Sequence, residues 1–265
     1  MSWSARLRLG ELPFPASVVL FGAKEYLVAS GGWVLAWTVP ARAVLQTAFF
    51  TLLGGYAAGG AGQVYALVGS VALAATPAAV NKVTDVIVGD RWQDTMYRLR
   101  LGRLPIFAVM LLRSIVYVIE GTCAALVGAV VVGPAVVGVG PTLRLVSALP
   151  ILALLTASLT CLGLLVAAAS VGRRTDVLLG NGAMYLVILC SGAVLPVAQG
   201  WLAAIAQGVP LTHGLVALRE WMAGRVAWDA LAAEGVVALA YLSLAWLVLS
   251  LQAHRARRGG FDSYA

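Results

Sequence analysis

Charge is what this sequence has least of. Only 11% of its 265 residues are Asp, Glu, Lys or Arg, while 61% are hydrophobic. Soluble domains carry roughly 25% charged and about half apolar residues, so an ordinary water-bathed globule is excluded. Histidine is nearly missing: His213 and His254 are the only two, no H-E-x-x-H occurs, and metal-assisted hydrolysis lacks its ligands. The three cysteines, Cys123, Cys161 and Cys190, lie in apolar runs without C-x-x-C spacing and read as small hydrophobes rather than redox or metal groups. There is no G-x-x-x-x-G-K-[ST], and the glycine-rich run Gly133–Gly140 lacks the lysine, so this chain is not expected to cradle phosphates itself. An intramembrane serine protease would need G-x-S-G and a distant histidine; Ser191 sits in L-C-S-G, without the first glycine. Met1–Phe14 holds Arg6 and Arg8 but no apolar stretch followed by a small-residue cleavage site, so no signal peptide is expected.

What the chain does have is apolar runs of about 20 residues, the length a helix needs to cross roughly 30 Å of hydrocarbon. Six spans are expected in one membrane domain: about Trp37 to Ala58, Val64 to Val88, Ile106 to Val132, Val146 to Val171, Val177 to Val197 and Ala230 to Gln252. Ser17–Ser30 carries Lys24 and Glu25 in its middle and is too interrupted to span, so it reads as an interfacial helix. Arg42 escapes the cost of the bilayer centre by sitting at the rim of span one. Lys82 and Asp85, three apart near the end of span two, are placed to neutralise each other, and Arg113 and Glu120 stand two turns apart in span three. After span five, Trp201–Val209 is roughly 14 Å long and cannot cross, so it is re-entrant or interfacial. Leu211–Ala223 follows as an amphipathic helix with Leu211, Leu215, Leu218 and Met222 on one face. The expected fold is therefore all-α, with six membrane helices and a broken region after the fifth.

The net charge of +7 falls mainly on one set of loops. With the N-terminus inside, twelve cationic residues, among them Arg91, Arg98, Arg100, Arg103, Arg173, Arg174, Arg255, Arg257 and Arg258, face the cytoplasm. Only Arg144, Arg219 and Arg225 face out, so both termini are expected in the cytoplasm. Anionic lipid, not nucleic acid, is the expected partner of this charge, because no basic patch is interleaved with aromatics. Arginine outnumbers lysine sixteen to two, a bias typical of GC-rich bacterial genomes, and the expected location is a bacterial inner membrane.

The most polar stretch, Asp90–Pro105, reads as a short helix at the cytoplasmic face. Asp90 is placed to cap its start, Asp94 and Arg98 form an i,i+4 pair, and Gly102 with Pro105 end it. Trp92, Met96 and Leu99 line one side, which suits either a groove on a partner protein or the lipid headgroups. This stretch continues into Val88–Gly121, "VGDRWQDTMYRLRLGRLPIFAVMLLRSIVYVIEG". Together with Asn181–Gly224, "NGAMYLVILCSGAVLPVAQGWLAAIAQGVPLTHGLVALREWMAG", it resembles the permease subunits of type-2 ABC exporters. The second stretch is similar to that family's S-G-x-x-x-P, W-L and P-L-T-Y-x-x-x-A-L-R pattern through Ser191, Gly192, Pro196, Trp201, Pro210, Leu211, Thr212, Ala217, Leu218 and Arg219. His213 stands where the family usually has Tyr, and "DTMYRL" replaces the usual Gly-Thr-Leu-Glu run.

The resemblance implies a transport subunit without enzymatic activity of its own, bearing no cofactor, with ATP and Mg on two copies of a partner ABC ATPase. It implies pairing with a second permease, identical or paralogous. It also implies that Asp90, Arg91, Trp92, Asp94, Thr95, Met96, Arg98 and Leu99 form the coupling helix seated in the ATPase, flanked by the N-terminal interfacial helix. The drug- and antibiotic-exporter branch fits better than the polysaccharide branch, through "PLTHGLVALR". Within the spans, Glu120, Asn181 and Tyr185 are candidates for the substrate path; each also reads as helix–helix glue. Trp201 and Trp221 read as interface anchors. An ion-coupled transporter or channel is the main rival, but it would typically carry broken helices in two halves, and only one such region is visible.

Overall fold

A computed structural model describes residues 14–92, 104–171, 176–196 and 200–258. Among the described residues the chain is all helix, without a strand. The elements in order are α1 (Phe14–Ser30), α2 (Gly32–Leu73), a π-helical segment (Pro77–Lys82), α3 (Val83–Trp92) and α4 (Ile106–Val137). They are followed by α5 (Val139–Ser147), α6 (Leu149–Ser170), α7 (Asp176–Cys190), α8 (Trp201–Gln207), α9 (Thr212–Met222) and α10 (Trp228–Arg258). Four helical stretches are long and apolar enough to cross a membrane, or five if the bent pair α8 and α9 is one span.

The expected first two spans are joined without a loop. α2 runs through 42 residues, but Ala58 (φ −141°) and Gly59 (φ +67°) leave helical geometry in its middle. Gly59 adopts a left-handed backbone that residues with a Cβ rarely enter, so the chain reverses there. The two arms then pack side by side: Thr51 and Ser70 are 3.3 Å apart through their hydroxyls, and Gln46 donates to the Leu73 carbonyl at 3.3 Å. The second arm continues through the π-helical segment, which begins at Pro77, into α3. Here the helix absorbs the proline by widening its hydrogen-bond ladder instead of stopping.

Several expectations are corrected. Asp90 does not cap a new helix; it lies inside α3, near its C-terminal end. The helix expected to end at Val132 runs on to Val137, and a further helix, α5, starts after Gly138 and buries Thr142 and Leu145. Span five ends at Cys190 rather than Val197, because Ser191–Pro196 leaves the helix. In the region after α7, α8 and α9 meet at 84°, and Leu211, Leu215 and Leu218 of the predicted face are fully buried.

The core is built from small and aliphatic residues of α2, the π segment, α4 and α6, with Leu67, Leu73, Leu152, Leu155 and Leu159 fully buried. A second cluster gathers Val83, Met110, Leu164, Ala168 and Leu249, bringing the start of α3, the start of α4, and the ends of α6 and α10 to one end of the bundle. Many large apolar side chains stay outside, including Leu45, Phe49, Leu52, Leu178, Leu189 and Leu239. For a lipid-bathed protein that surface is the expected one, since nothing apolar is gained by hiding it from hydrocarbon.

Candidate functional site

Two polar assemblies interrupt this apolar body, one at each end. The first lies where α1, the π segment, α3 and α4 meet. Arg113 of α4 is 6% exposed. Its Nη1 donates to Asp90 Oδ2 of α3 and its Nη2 to Glu25 Oε2 of α1, both at 2.6 Å. Two turns along α4, Glu120 accepts from Lys82 Nζ at 2.5 Å and from the Tyr26 hydroxyl at 2.6 Å. Lys82 also donates to the Tyr26 hydroxyl at 2.8 Å, and Tyr26 meets Tyr117 edge to face, ring centroids 5.3 Å apart. Burial first, and the hydrogen bond to Glu120 second, push the Tyr26 phenol above its ordinary range, so it serves as a neutral donor.

These contacts overturn both near-neighbour pairings. Lys82 turns to Glu120 across the helix interface rather than to Asp85 three residues on, and Arg113 takes Glu25 and Asp90 rather than Glu120. A buried charge must be matched by a close partner or it costs several kcal/mol. Partners on other helices can approach end-on where i+3 and i+7 neighbours point along the same face. A cavity of about 240 Å³ opens beside the cluster, lined by Glu25, Tyr26, Lys82, Asp85, Arg113 and Tyr117 among others.

The second assembly fixes the broken region at the opposite end. Glu234 of α10 is fully buried, and its two carboxylate oxygens accept the backbone N–H of Leu211 at 2.8 Å and of Gly214 at 2.9 Å. Arg219 of α9 lies over the Tyr65 ring, 3.6 Å from its centroid, and donates to the Gly192 carbonyl at 2.9 Å. Tyr65 donates to the same carbonyl at 2.9 Å. The strand of chain after α7 thereby lies against the second arm of α2, where Gly69 admits the Ala193 carbonyl and a Cβ would collide with it. Trp221 has a specific role at this end: its indole N–H donates to the Arg144 carbonyl, tying α9 to α5. Trp201 is largely exposed.

Of the expected coupling residues, Asp90 sits in the Arg113 clasp, and Arg91 and Trp92 complete α3. Asp94, Thr95, Met96, Arg98 and Leu99 lie outside the described residues. The three path candidates do not converge. Glu120 is inside the charge cluster, Asn181 accepts from Asn81 at 3.4 Å, and Tyr185 is 64% exposed on the outside of α7. Glu120 and Asn181 are related through the π segment, whose adjacent residues Lys82 and Asn81 reach one each. Sequence reasoning missed Glu234, although a lone carboxylate inside the Ala230–Gln252 run carries the same signal that singled out Glu120.

A family model described as ABC-2 type transporter matches residues 18–223, from within α1 to the end of the broken region. No curated protein matches the chain. The matched stretch contains the whole charge cluster and the Arg219 clamp, while α10, which supplies Glu234, lies beyond it.

Proposed function

The chain belongs to the ABC-2 type transporter family, and from that premise we propose that it is the membrane permease subunit of an ATP-driven exporter. The observation that carries the reading is the matched stretch itself, 18–223, together with the charge clasp inside it: α1, the end of α3 and the start of α4 are held together by Arg113 next to the most polar part of the chain. An ATPase seated on the segment Asp90–Leu101 would push on that clasp. The cargo fits a hydrophobic or amphipathic molecule, a drug, antibiotic or lipid, because few charged groups are open to a ligand within the apolar helices. Six spans follow if the two arms of α2 are counted as two, with α3 completing the second and α7 a fifth. The chain would act in a bacterial cytoplasmic membrane with two ATPase copies that bind ATP and Mg, and with a second permease, identical or paralogous.

The test is purification of the tagged chain from its native membrane in mild detergent, followed by identification of co-purifying proteins and an ATPase assay. A stoichiometric ATPase that is lost on Trp92→Asp and Met96→Asp supports the reading and its docking segment. A chain that comes out alone, from cells whose efflux does not depend on it, points instead to an ion-coupled transporter.

A further inference from the structure

Arg42, in the first arm of α2, lies within electrostatic range of Glu120 and Tyr26. Yet its Nε and Nη2 are buried and have no hydrogen-bond partner. These two nitrogens form one edge of the guanidinium, the edge that takes a carboxylate through two parallel bonds. Leaving charged donors buried and unpaired is costly, more so than never having placed them there. The carboxylate within electrostatic range is already occupied: Glu120 accepts at Oε1 from Lys82 and at Oε2 from Tyr26.

The present holders of Glu120 sit on different kinds of element from Arg42. Lys82 closes the π-helical segment, and Tyr26 rides on α1. π turns are rare and strained relative to α-helix; rewinding Pro77–Lys82 to α geometry would rotate Lys82 about the helix axis and withdraw its ammonium. Arg42 and Glu120 belong to the long helices α2 and α4. Those helices are packed together beside the pair, through Ala43 next to Arg42 and Ala124 one turn beyond Glu120.

We propose that Glu120 has two alternative cationic partners, Lys82 and Arg42, and that exchange of the first for the second is a step of the transport cycle. Arg42 is then a positioning residue, held in reserve for the state in which α1 and the π segment shift relative to α2 and α4. The pairing stands on the unpartnered nitrogens of Arg42, their electrostatic reach to Glu120 and the packing of α2 against α4; its place in the cycle rests on the permease reading above.

The pairing is tested by thermal unfolding of the purified full chain in detergent, comparing Lys82→Met, Arg42→Gln and the double variant. Lys82→Met alone lowers Tm by no more than about 3 °C, because Arg42 takes over Glu120. Arg42→Gln alone leaves Tm unchanged or raises it. The double variant falls further, on the order of 10 °C, because Glu120 is then buried without a cation. In a Glu120→Gln background this extra loss disappears. If Lys82→Met alone is as damaging as the double variant, or fails to fold, Arg42 cannot substitute and the pairing is wrong. Simple additivity of the two losses is equally fatal to it.

The cycle step is read from ATP hydrolysis by the complex with its ATPase in lipid nanodiscs. Arg42→Gln keeps the wild-type Tm but slows hydrolysis about tenfold; unchanged hydrolysis overturns the step. A chain that purifies without any ATPase overturns the permease reading and the step together, while the unfolding comparison still decides the pairing.

Discussion

Glu234 is a carboxylate with no exposed surface, tolerated because both its oxygens accept backbone amides at the start of α9. The first turn of any helix has N–H groups without intrahelical partners. Here Leu211, the residue before α9, is held at φ +86° and offers no side-chain cap. A carboxylate from α10 therefore does from a distance what Asp or Ser does locally, with added attraction to the helix dipole. Glu234→Ala strands two buried donors, and roughly 3–5 kcal/mol of stability is expected to go with them. Glu234→Gln keeps one carbonyl oxygen and is expected to fall between Ala and wild type in detergent melting curves; identical curves for Gln and Ala would contradict the capping role. A lone carboxylate in an apolar run was the signal that could have found the residue, but nothing in the sequence marks its partners. They are main-chain groups, and no side-chain pattern announces which amides a turn leaves open.

At the scale of the element, α1 is bound to the bundle through charge as much as through packing. Phe21, Leu27 and Val28 point outward, while Glu25 and Tyr26 reach inward to Arg113, Glu120 and Lys82. Arg113 is the shared node, since it holds α1 and α3 at once. Arg113→Met keeps helix propensity but removes the cation that Glu25 of α1 and Asp90 of α3 share. Faster amide hydrogen exchange across α1, with α6 unaffected, is the expected result; uniform protection of α1 in the variant would show that packing alone secures it. A separate helix over this segment was readable because Lys24 and Glu25 break an apolar run that is too short to span. The amphipathic α9 was readable because Leu211, Leu215 and Leu218 recur at helical spacing, and all three are buried. The pairing of charges was not readable. Sequence distance favoured Lys82 with Asp85 and Glu120 with Arg113, and tertiary contacts between α1, the π segment and α4 decided otherwise. The hairpin inside α2 was legible as the gap between a span expected to end at Ala58 and one expected to start at Val64, although a reversal made by Ala58 and Gly59 needs no polar loop to mark it.

Across the whole molecule, the fold sorts the arginines by end. The cluster of Val83, Met110, Ala168 and Leu249 places the start of α3, the start of α4, and the ends of α6 and α10 together. Gln252 of α10 donates to the Ala168 carbonyl at 2.9 Å, fastening the last two of these. Arg91 lies in the last turn of α3, which starts in this cluster, and the α10 helix runs on from Leu249 to end at Arg258. Arg144 belongs to the other end: its guanidinium donates to the Met222 carbonyl at 3.1 Å, beside the turn that carries Arg225. A bilayer that keeps cations on its cytoplasmic side would orient such a body in one way only, with α1 and the charge clasp inside. The expectation is tested in intact cells with a membrane-impermeant maleimide, after the three native cysteines have been replaced. Arg144→Cys should label from outside without permeabilisation. Gly259→Cys, just past α10, should label only once the membrane is opened. The reverse pattern would put the clasp on the outer face, where no ATPase could reach it, and labelling of both from outside would mean that the chain crosses an even number of times between them.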